Sequence, residues 1–189
     1  MGGQIKRSVT ALPVHGETIL LRADLDVPII HGTADTASLQ PAAMTIRYLL
    51  SRNNKVVVIG HVSRPDGYDA RFSTRLVAKT LANLLRAPVH HVGAISSHKA
   101  MMAIRRAPAG SVLLLENLRF DPREEKNDME FAAELARVSG AKYFVQDDRR
   151  AVRRSLASTV AITHYMPSVA GFNVIDIWDA PGVKSLLDA

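Results

Sequence analysis

Residues 55–59 read Lys-Val-Val-Val-Ile, an apolar run that indicates the fold class. A strand with one solvated face alternates apolar and polar residues, whereas a strand of a parallel sheet is covered by helices on both faces and is apolar throughout. Residues 111–115 (Ser-Val-Leu-Leu-Leu) show the same pattern, and residues 18–22 and 143–145 are similar. The sequence therefore predicts strands over these four ranges, with a shorter strand over 88–92.

Amphipathic segments alternate with these strands. They predict four helices, over residues 41–52, 73–85, 97–106 and 128–138. We expect Pro41 in the first turn of the first helix, Ser73 as the N-cap of the second and Gly140 at the end of the fourth. The alternation predicts an α/β fold, namely a three-layer doubly wound domain with a mainly parallel central sheet.

The length of 189 residues suits one domain. We place this domain over residues 1–172 and assign residues 173–189 to a tail, in which Asp179 to Leu187 are expected to fold back on the domain as a short helix. The chain has no cysteine, which excludes disulfides and cysteine nucleophiles and fits a cytoplasmic location. No apolar run reaches the length of a membrane span, so we expect no membrane partner.

The net charge of +6 indicates an anionic partner, which is a nucleic acid, an anionic lipid or a phosphorylated small molecule. A solvated cationic surface without any such partner explains the composition equally well. Aromatic residues make up 5% of the chain, which argues against a platform on which single-stranded bases stack.

Charged side chains follow four of the predicted strands, close to the point where each strand ends. The candidate binding residues among them are Asp24, Asp26, His61, Arg64, Arg119, Arg149, Arg150, Arg153 and Arg154. Because the carboxyl ends of parallel strands meet at one edge of the sheet, and ligands bind at that edge, these residues predict a multidentate anion site. Charges also gather in loops because loops are solvated, and this alternative stays open.

Other sites are disfavoured by the sequence. Neither a P-loop nor a Gly-x-Gly-x-x-Gly fingerprint is present, and no Gly-x-Ser-x-Gly elbow occurs. His90 and His91 are adjacent in the predicted strand 88–92, so their side chains face opposite ways and do not easily share a metal ion. We therefore expect no metal site and assign no cofactor.

Four segments, in this order, resemble the N-terminal domain of phosphoglycerate kinases, and the resemblance runs from about Lys6 to Phe172. They are RADLDVP (22–28), VVVIGHVSRPDG (56–67), SVLLLENLRF (111–120) and ASTVAITHYMPSVAG (157–171). The resemblance implies that 3-phosphoglycerate binds in this domain and that a second domain binds the magnesium nucleotide. It also implies a substrate site made of Asp24, Asp26, His61, Arg64, Arg119 and Arg154, in which Asp24 takes the hydroxyl and the arginines take the phosphate and carboxylate.

The sequence departs from the family pattern at several of these positions. Ser38 stands where the family has the arginine that stabilises the transferring phosphoryl group, so we assign no catalytic residue. Asp26 stands where the family has an asparagine, which adds negative charge beside an anion site. The segment QDDRRAVRRSL (146–156) replaces a glycine-containing turn of the family, and it offers Arg149, Arg150 and Arg153 as additional anion contacts.

The chain has about half the family length, and no counterpart of the nucleotide domain is present. Residues 179–186 (Asp-Ala-Pro-Gly-Val-Lys-Ser-Leu) are similar to the segment with which family members end and which packs on the N-terminal domain. We therefore expect that the nucleotide domain is absent from the middle of the sequence, by natural or designed excision. An unrelated capping helix is the alternative.

Three functions remain open. The favoured one is a catalytically incomplete homologue that retains part of an anion site for 3-phosphoglycerate or another small phosphorylated anion. Loss of the arginine that Ser38 replaces would alone lower the rate of phosphoryl transfer by about 10³- to 10⁵-fold. The second is half of a functional enzyme for glycolytic phosphoryl transfer between 1,3-bisphosphoglycerate and ADP, completed by a separate nucleotide-binding chain. The third is binding of nucleic acid or protein through the arginine cluster of Arg149, Arg150, Arg153 and Arg154. Of these two partners, we disfavour nucleic acid.

Overall fold

The structure of the protein, a computed structural model, describes residues 8–175. It contains eight strands: β1 (Thr18–Arg22), β2 (Ile29–Ile30), β3 (Thr33–Ala34), β4 (Lys55–Ile59), β5 (Val89–His91), β6 (Val112–Leu114), β7 (Tyr143–Gln146) and β8 (Ser168–Ala170). Six of them form one sheet in the order β5-β6-β4-β1-β7-β8, and every neighbouring pair is parallel. All five strands that the sequence predicts lie in this sheet.

Four helices cover the sheet: α1 (Thr36–Leu50), α2 (Arg75–Leu85), α3 (His98–Arg106) and α4 (Met129–Ser139). Helices α1 and α2 pack on one face together with Ile19 and Leu21 of β1, whereas α3 and α4 pack on the other face together with Leu20. Successive strand residues point to opposite faces, so an apolar strand buries side chains in two core layers at once. The predicted mainly parallel α/β fold is confirmed.

Helix α1 begins five residues earlier than predicted. The side chain of Asp35 accepts a hydrogen bond of 2.8 Å from the backbone N–H of Ser38 and thereby caps the helix. Pro41 consequently lies inside the helix, and its placement in the first turn is wrong. A proline at this point leaves the carbonyl of Ala37 without the usual helical donor. The Asp35 cap explains why the helix nevertheless starts upstream of the proline.

The N-terminus of helix α2 also differs from the prediction. Thr74, and not Ser73, is the N-cap residue, and its own side chain makes no capping hydrogen bond. Glu116, two residues after β6, accepts hydrogen bonds from the Thr74 backbone N–H at 2.9 Å and from Ser73 Oγ at 2.8 Å. A carboxylate from another part of the chain therefore stabilises this helix start.

Three short strands of the structure were not predicted from the sequence. Strands β2 and β3 form a two-residue antiparallel hairpin, and β8 adds three residues to the edge of the main sheet next to β7. Segments of two or three residues carry no periodicity, so pairing with a neighbour defines them. The predicted tail helix over Asp179 to Leu187 lies outside the described residues. None of the helices within residues 8–175 is long and apolar enough to cross a membrane.

Candidate anion site at the carboxyl edge of the sheet

Three of the predicted binding residues line one cleft. Arg64 follows β4, Arg119 follows β6 and Arg154 follows β7, and because these strands are parallel the three loops meet at the same edge. The cleft has a volume of about 550 Å³. We call it the arginine cleft, and its wall also includes Glu125 and Lys126. Three guanidinium groups from separate loops are suited to holding one multiply charged anion.

The backbone around Arg119 is fixed by a capped turn. Residues Leu118–Phe120 form a short 3-10 turn directly after β6, and Asn117 caps it by accepting from the Arg119 backbone N–H at 3.0 Å. The Asn117 amide also donates to the carbonyls of Val62 and Phe72, each at 2.8 Å. A buried amide thus ties the loop after β6 to two points of the segment between β4 and α2.

Arg119 is the most buried cation of the arginine cleft, with 4% of its side chain exposed. Its Nη1 lies 2.5 Å from Glu125 Oε1, and Arg154 Nη2 lies 3.2 Å from the same oxygen. Arg119 Nη2 is buried without a hydrogen-bond partner among the described residues. Burial lowers the pKa of Arg119; Glu125 acts in the opposite sense, and the neighbouring arginines add repulsion. A buried donor left unpaired is costly, so this group is open to an acceptor such as a ligand oxygen.

Beneath the cleft lies a buried ion network centred on Arg22, the last residue of β1. Its guanidinium donates to Glu124 at 3.3 Å and also bonds Ser158, and it lies 3.4 Å from a carboxylate oxygen of Asp148. All of these side chains are buried. This network was not predicted from the sequence, although an arginine within a strand buried on both faces signals a buried partner. It fixes the loops after β1 and β7 relative to each other.

His61 follows β4 and is buried beside this network. Arg22 Nη2 lies 3.4 Å from its Nδ1, and because a guanidinium can only donate, Nδ1 is the acceptor and Nε2 carries the proton. Burial, reinforced by the charges of Arg22, Arg119, Arg154 and Arg150, lowers the pKa of His61 to about 2. The imidazole is therefore neutral near pH 7, and its 3.9 Å approach to Asp26 is not an ion pair.

Asp24 is separated from the arginine cleft and lines a neighbouring one of about 420 Å³. We call it the Asp24 cleft, and its wall includes Ser38, Arg149, Arg150 and Asn173. Arg150 Nε lies 2.5 Å from Asp24 Oδ2, and its Nη2 lies 2.9 Å from Oδ1. The structure thus brings Ser38, which the resemblance assigns to the position of the family arginine, to the same cleft as Arg149 and Arg150.

Of the remaining predicted residues, one lines the Asp24 cleft and two lie outside both clefts. Asp26 Oδ1 accepts from the Ser63 backbone N–H at 2.7 Å, so its added carboxylate braces the loop that carries Arg64. Arg149 donates to the Asn173 carbonyl at 3.2 Å. Arg153 is exposed and lines neither cleft. Within residues 8–175 no group of three or more His, Asp or Glu side chains has the arrangement of a metal site.

Asp147, in the floor of the Asp24 cleft, is buried against the chain after β8. It accepts hydrogen bonds from the backbone N–H and the side-chain amide of Asn173, at 2.9 and 2.7 Å. Burial raises its pKa to about 6, although these hydrogen bonds act in the opposite direction. An added Cβ at Gly171 would overlap this carboxylate, so the close approach requires glycine there.

The phosphoglycerate kinase family model matches residues 9–180 of the chain. The chain belongs to the phosphoglycerate kinase family. Two curated phosphoglycerate kinases illustrate the similarity: the protein of Thermomicrobium roseum is 41% identical over 169 residues, and that of Pelotomaculum thermopropionicum is 38% identical over 168 residues. Each alignment covers 88% of this chain but 42% of the relative, in its N-terminal part.

Solved structures of phosphoglycerate kinases have the same fold. The crystal structure of the Pyrococcus horikoshii enzyme superposes with a TM-score of 0.80 at 29% identity, covering 90% of this chain and 44% of that one. The Coxiella burnetii structure gives a TM-score of 0.77 at 26% identity, covering 92% and 43% of the two chains. The chain thus spans less than half the length of these relatives and corresponds to the N-terminal domain of a phosphoglycerate kinase.

Proposed function

We propose that the chain binds a small phosphorylated anion of the 3-phosphoglycerate type in the arginine cleft, and that the 189 residues alone do not transfer phosphate. The observation that carries the first part is Arg119, a buried guanidinium with an unpaired Nη2 beside two further arginines. The membership in the phosphoglycerate kinase family supports the identity of the anion.

Binding requires an exchange of partners inside the cleft. Glu125 is half exposed and bridges Arg119 and Arg154, so it neutralises part of their charge while the cleft is free of ligand. A dianionic phosphate offers more charge and more acceptor oxygens than one carboxylate, and it can take the bonds of Glu125 while also reaching Arg119 Nη2. Glu125 can then turn into solvent at small cost.

The second part of the proposal follows from the Asp24 cleft. Phosphoryl transfer depends on positive charge aimed at the oxygens of the group in flight. Ser38 provides none, and the charge of Arg150 in the same cleft is committed to Asp24. Ground-state binding and transition-state stabilisation are separable, so the chain can hold a phosphorylated ligand without accelerating its reaction.

Isothermal titration calorimetry tests binding, with 3-phosphoglycerate, ATP and a random oligonucleotide as the three titrants. We expect 3-phosphoglycerate to bind and Arg119→Ala to weaken it at least tenfold, because a buried charged hydrogen-bond donor is lost. Arg137→Ala, which removes one exposed charge from the end of α4, is the matched control and should leave the affinity unchanged. Equal affinities of the wild type and Arg119→Ala would exclude the arginine cleft as the site.

A coupled kinase assay with ATP and 3-phosphoglycerate tests the second part, with Ser38→Arg as the comparison. Turnover by the unmodified chain that is abolished by Arg119→Ala would refute catalytic incompleteness. The alternative, half of an enzyme completed by another chain, rests on the 42% coverage of the relatives. It predicts that adding the C-terminal part of a relative produces turnover.

A further inference from the structure

We propose that Arg150 sets the ligand selectivity of this site by occupying Asp24, so that the chain does not recognise a ligand hydroxyl. This inference rests on the proposed function, because it concerns which phosphorylated anions the site accepts. It predicts that a phosphorylated carboxylic acid binds equally well with or without a hydroxyl group on its carbon chain.

Both carboxylate oxygens of Asp24 accept hydrogen bonds from other groups of the chain. Arg150 contacts them in a bidentate manner, through Nε to Oδ2 at 2.5 Å and through Nη2 to Oδ1 at 2.9 Å. The backbone N–H of Asp26 adds a bond of 3.2 Å to Oδ1. Bidentate guanidinium–carboxylate pairs are among the stronger ion pairs because two parallel charged hydrogen bonds form together.

The rest of the loop holds Arg150 in this position. Asp148 Oδ1 accepts from the backbone N–H of Arg150 at 3.0 Å and from that of Ala151 at 2.9 Å, and so fixes the turn. Asp148 is itself buried against Arg22. Arg150 Nη2 also donates to the Asp26 carbonyl at 2.6 Å. The side chain therefore spans from the loop after β7 to the loop after β1 and has partners at both ends.

Two departures from the family pattern act together in this arrangement. Asp148 and Arg150 both belong to the segment 146–156, which departs from the glycine-containing turn that the resemblance implies. In this chain, a hydroxyl that donates to Asp24 must compete with the guanidinium. The phosphate-binding side chains Arg64, Arg119 and Arg154 line the arginine cleft, whereas Asp24 and Arg150 line the neighbouring Asp24 cleft.

Calorimetry with two matched ligands tests the selectivity. The ligands are 3-phosphoglycerate and 3-phosphooxypropionate, which is the same molecule without the hydroxyl, and inorganic phosphate reports on the arginine cleft. The readout is the ratio of the affinities for the two matched ligands, because a general loss of positive charge changes both equally. For the wild-type chain we expect a ratio within about twofold of unity. For Arg150→Ala we expect a ratio of about fivefold in favour of 3-phosphoglycerate, because an exposed ion pair such as Arg150–Asp24 contributes up to about fivefold.

Two further variants make the result specific. Arg137→Ala removes the same charge at the opposite edge of the sheet, where α4 ends, and should keep the wild-type ratio. Combining Arg150→Ala with Asp24→Asn should return the ratio toward unity, because the freed acceptor is then weakened. Thermal melting confirms that each variant is folded.

The outcomes separate this inference from the proposed function. If the wild-type chain already prefers 3-phosphoglycerate fivefold, or if Arg150→Ala leaves the ratio unchanged, the selectivity role of Arg150 is overturned while anion binding stands. If none of the three ligands binds the wild-type chain, the proposed function is refuted and the selectivity falls with it.

Discussion

Replacing His61 with glutamine should remove a large part of the sensitivity of the fold to mild acid. The pKa of His61 is lowered from 6.5 to about 2 by burial and by nearby arginines, so the folded chain keeps the imidazole neutral. In the unfolded chain the same group takes up a proton below pH 6.5. Stability contributed by the neutral form is therefore present above pH 6.5 and is lost progressively as the pH falls from 6.5 toward 2.

The magnitude follows from the width of this window. Each pH unit below the unfolded pKa costs about 1.4 kcal/mol, so between pH 7 and pH 5 this group lowers the free energy of unfolding by about 2 kcal/mol. Glutamine cannot be protonated in this range, and its carbonyl can still accept from Arg22. The buried acids titrate in both proteins, so their contributions cancel when wild type and variant are compared.

Urea denaturation at pH 7 and pH 5 measures the effect. When the pH is lowered from 7 to 5, we expect the free energy of unfolding of the wild type to fall by about 2 kcal/mol more than that of His61→Gln. His90→Gln, which alters an exposed histidine on strand β5, is the matched control and should behave like the wild type. The same pH dependence in wild type and His61→Gln would refute the buried neutral imidazole.

Three further results are expected. Glu116→Gln should lower the free energy of unfolding at pH 7 by about 2 kcal/mol. Burial alone would raise the pKa of this carboxyl, but hydrogen bonds from His91, Asn117, Ser73 and Thr74 lower it to about 2 and thus stabilise the charged form. An unchanged urea denaturation curve would contradict this. Asp147→Asn should raise the free energy of unfolding at pH 7 by about 2 kcal/mol. Removing a carboxyl whose pKa burial raises to about 6 contributes about 3 kcal/mol, and the amide loses one of the two hydrogen bonds from Asn173, which costs about 1 kcal/mol. That gain should shrink as the pH falls from about 6 to 4, and denaturation curves at both values check the sign. Glu125→Gln should strengthen phosphate binding about threefold or more in calorimetry, because Arg119 and Arg154 lose an internal competitor; weaker binding would show that Glu125 helps to hold the ligand.

The placement of the arginine cleft follows from local sequence patterns. The runs at 55–59 and 111–115 are apolar on both faces, and their alternation with amphipathic helices favours inner strands of a covered parallel sheet. Parallel strands in turn force the segments that follow them to one edge. The meeting of Arg64 and Arg119 in one cleft is therefore predictable from the order of strands and loops.

The contacts between individual charged groups depended on the tertiary structure. Sequence position shows that Arg150 and Asp24 lie in loops at the same edge, but a long flexible side chain has many rotamers, and the pairing with Asp24 is selected by the turn that Asp148 holds. Likewise, Glu116 accepts the hydrogen bond at the start of α2 that was expected of Ser73, because it lies beside this helix in space. It is 42 residues from Thr74 in sequence, so no local pattern indicates the contact.

Hydrophobic periodicity thus determined the sheet, the helices and the edge where charges collect, because these depend on local burial of whole segments. The folded structure decided which charges neutralise one another, which stay unpaired and where helices α1 and α2 begin. Those outcomes depend on distances of a few ångströms between groups remote in sequence, since hydrogen bonds and ion pairs form or fail within that range.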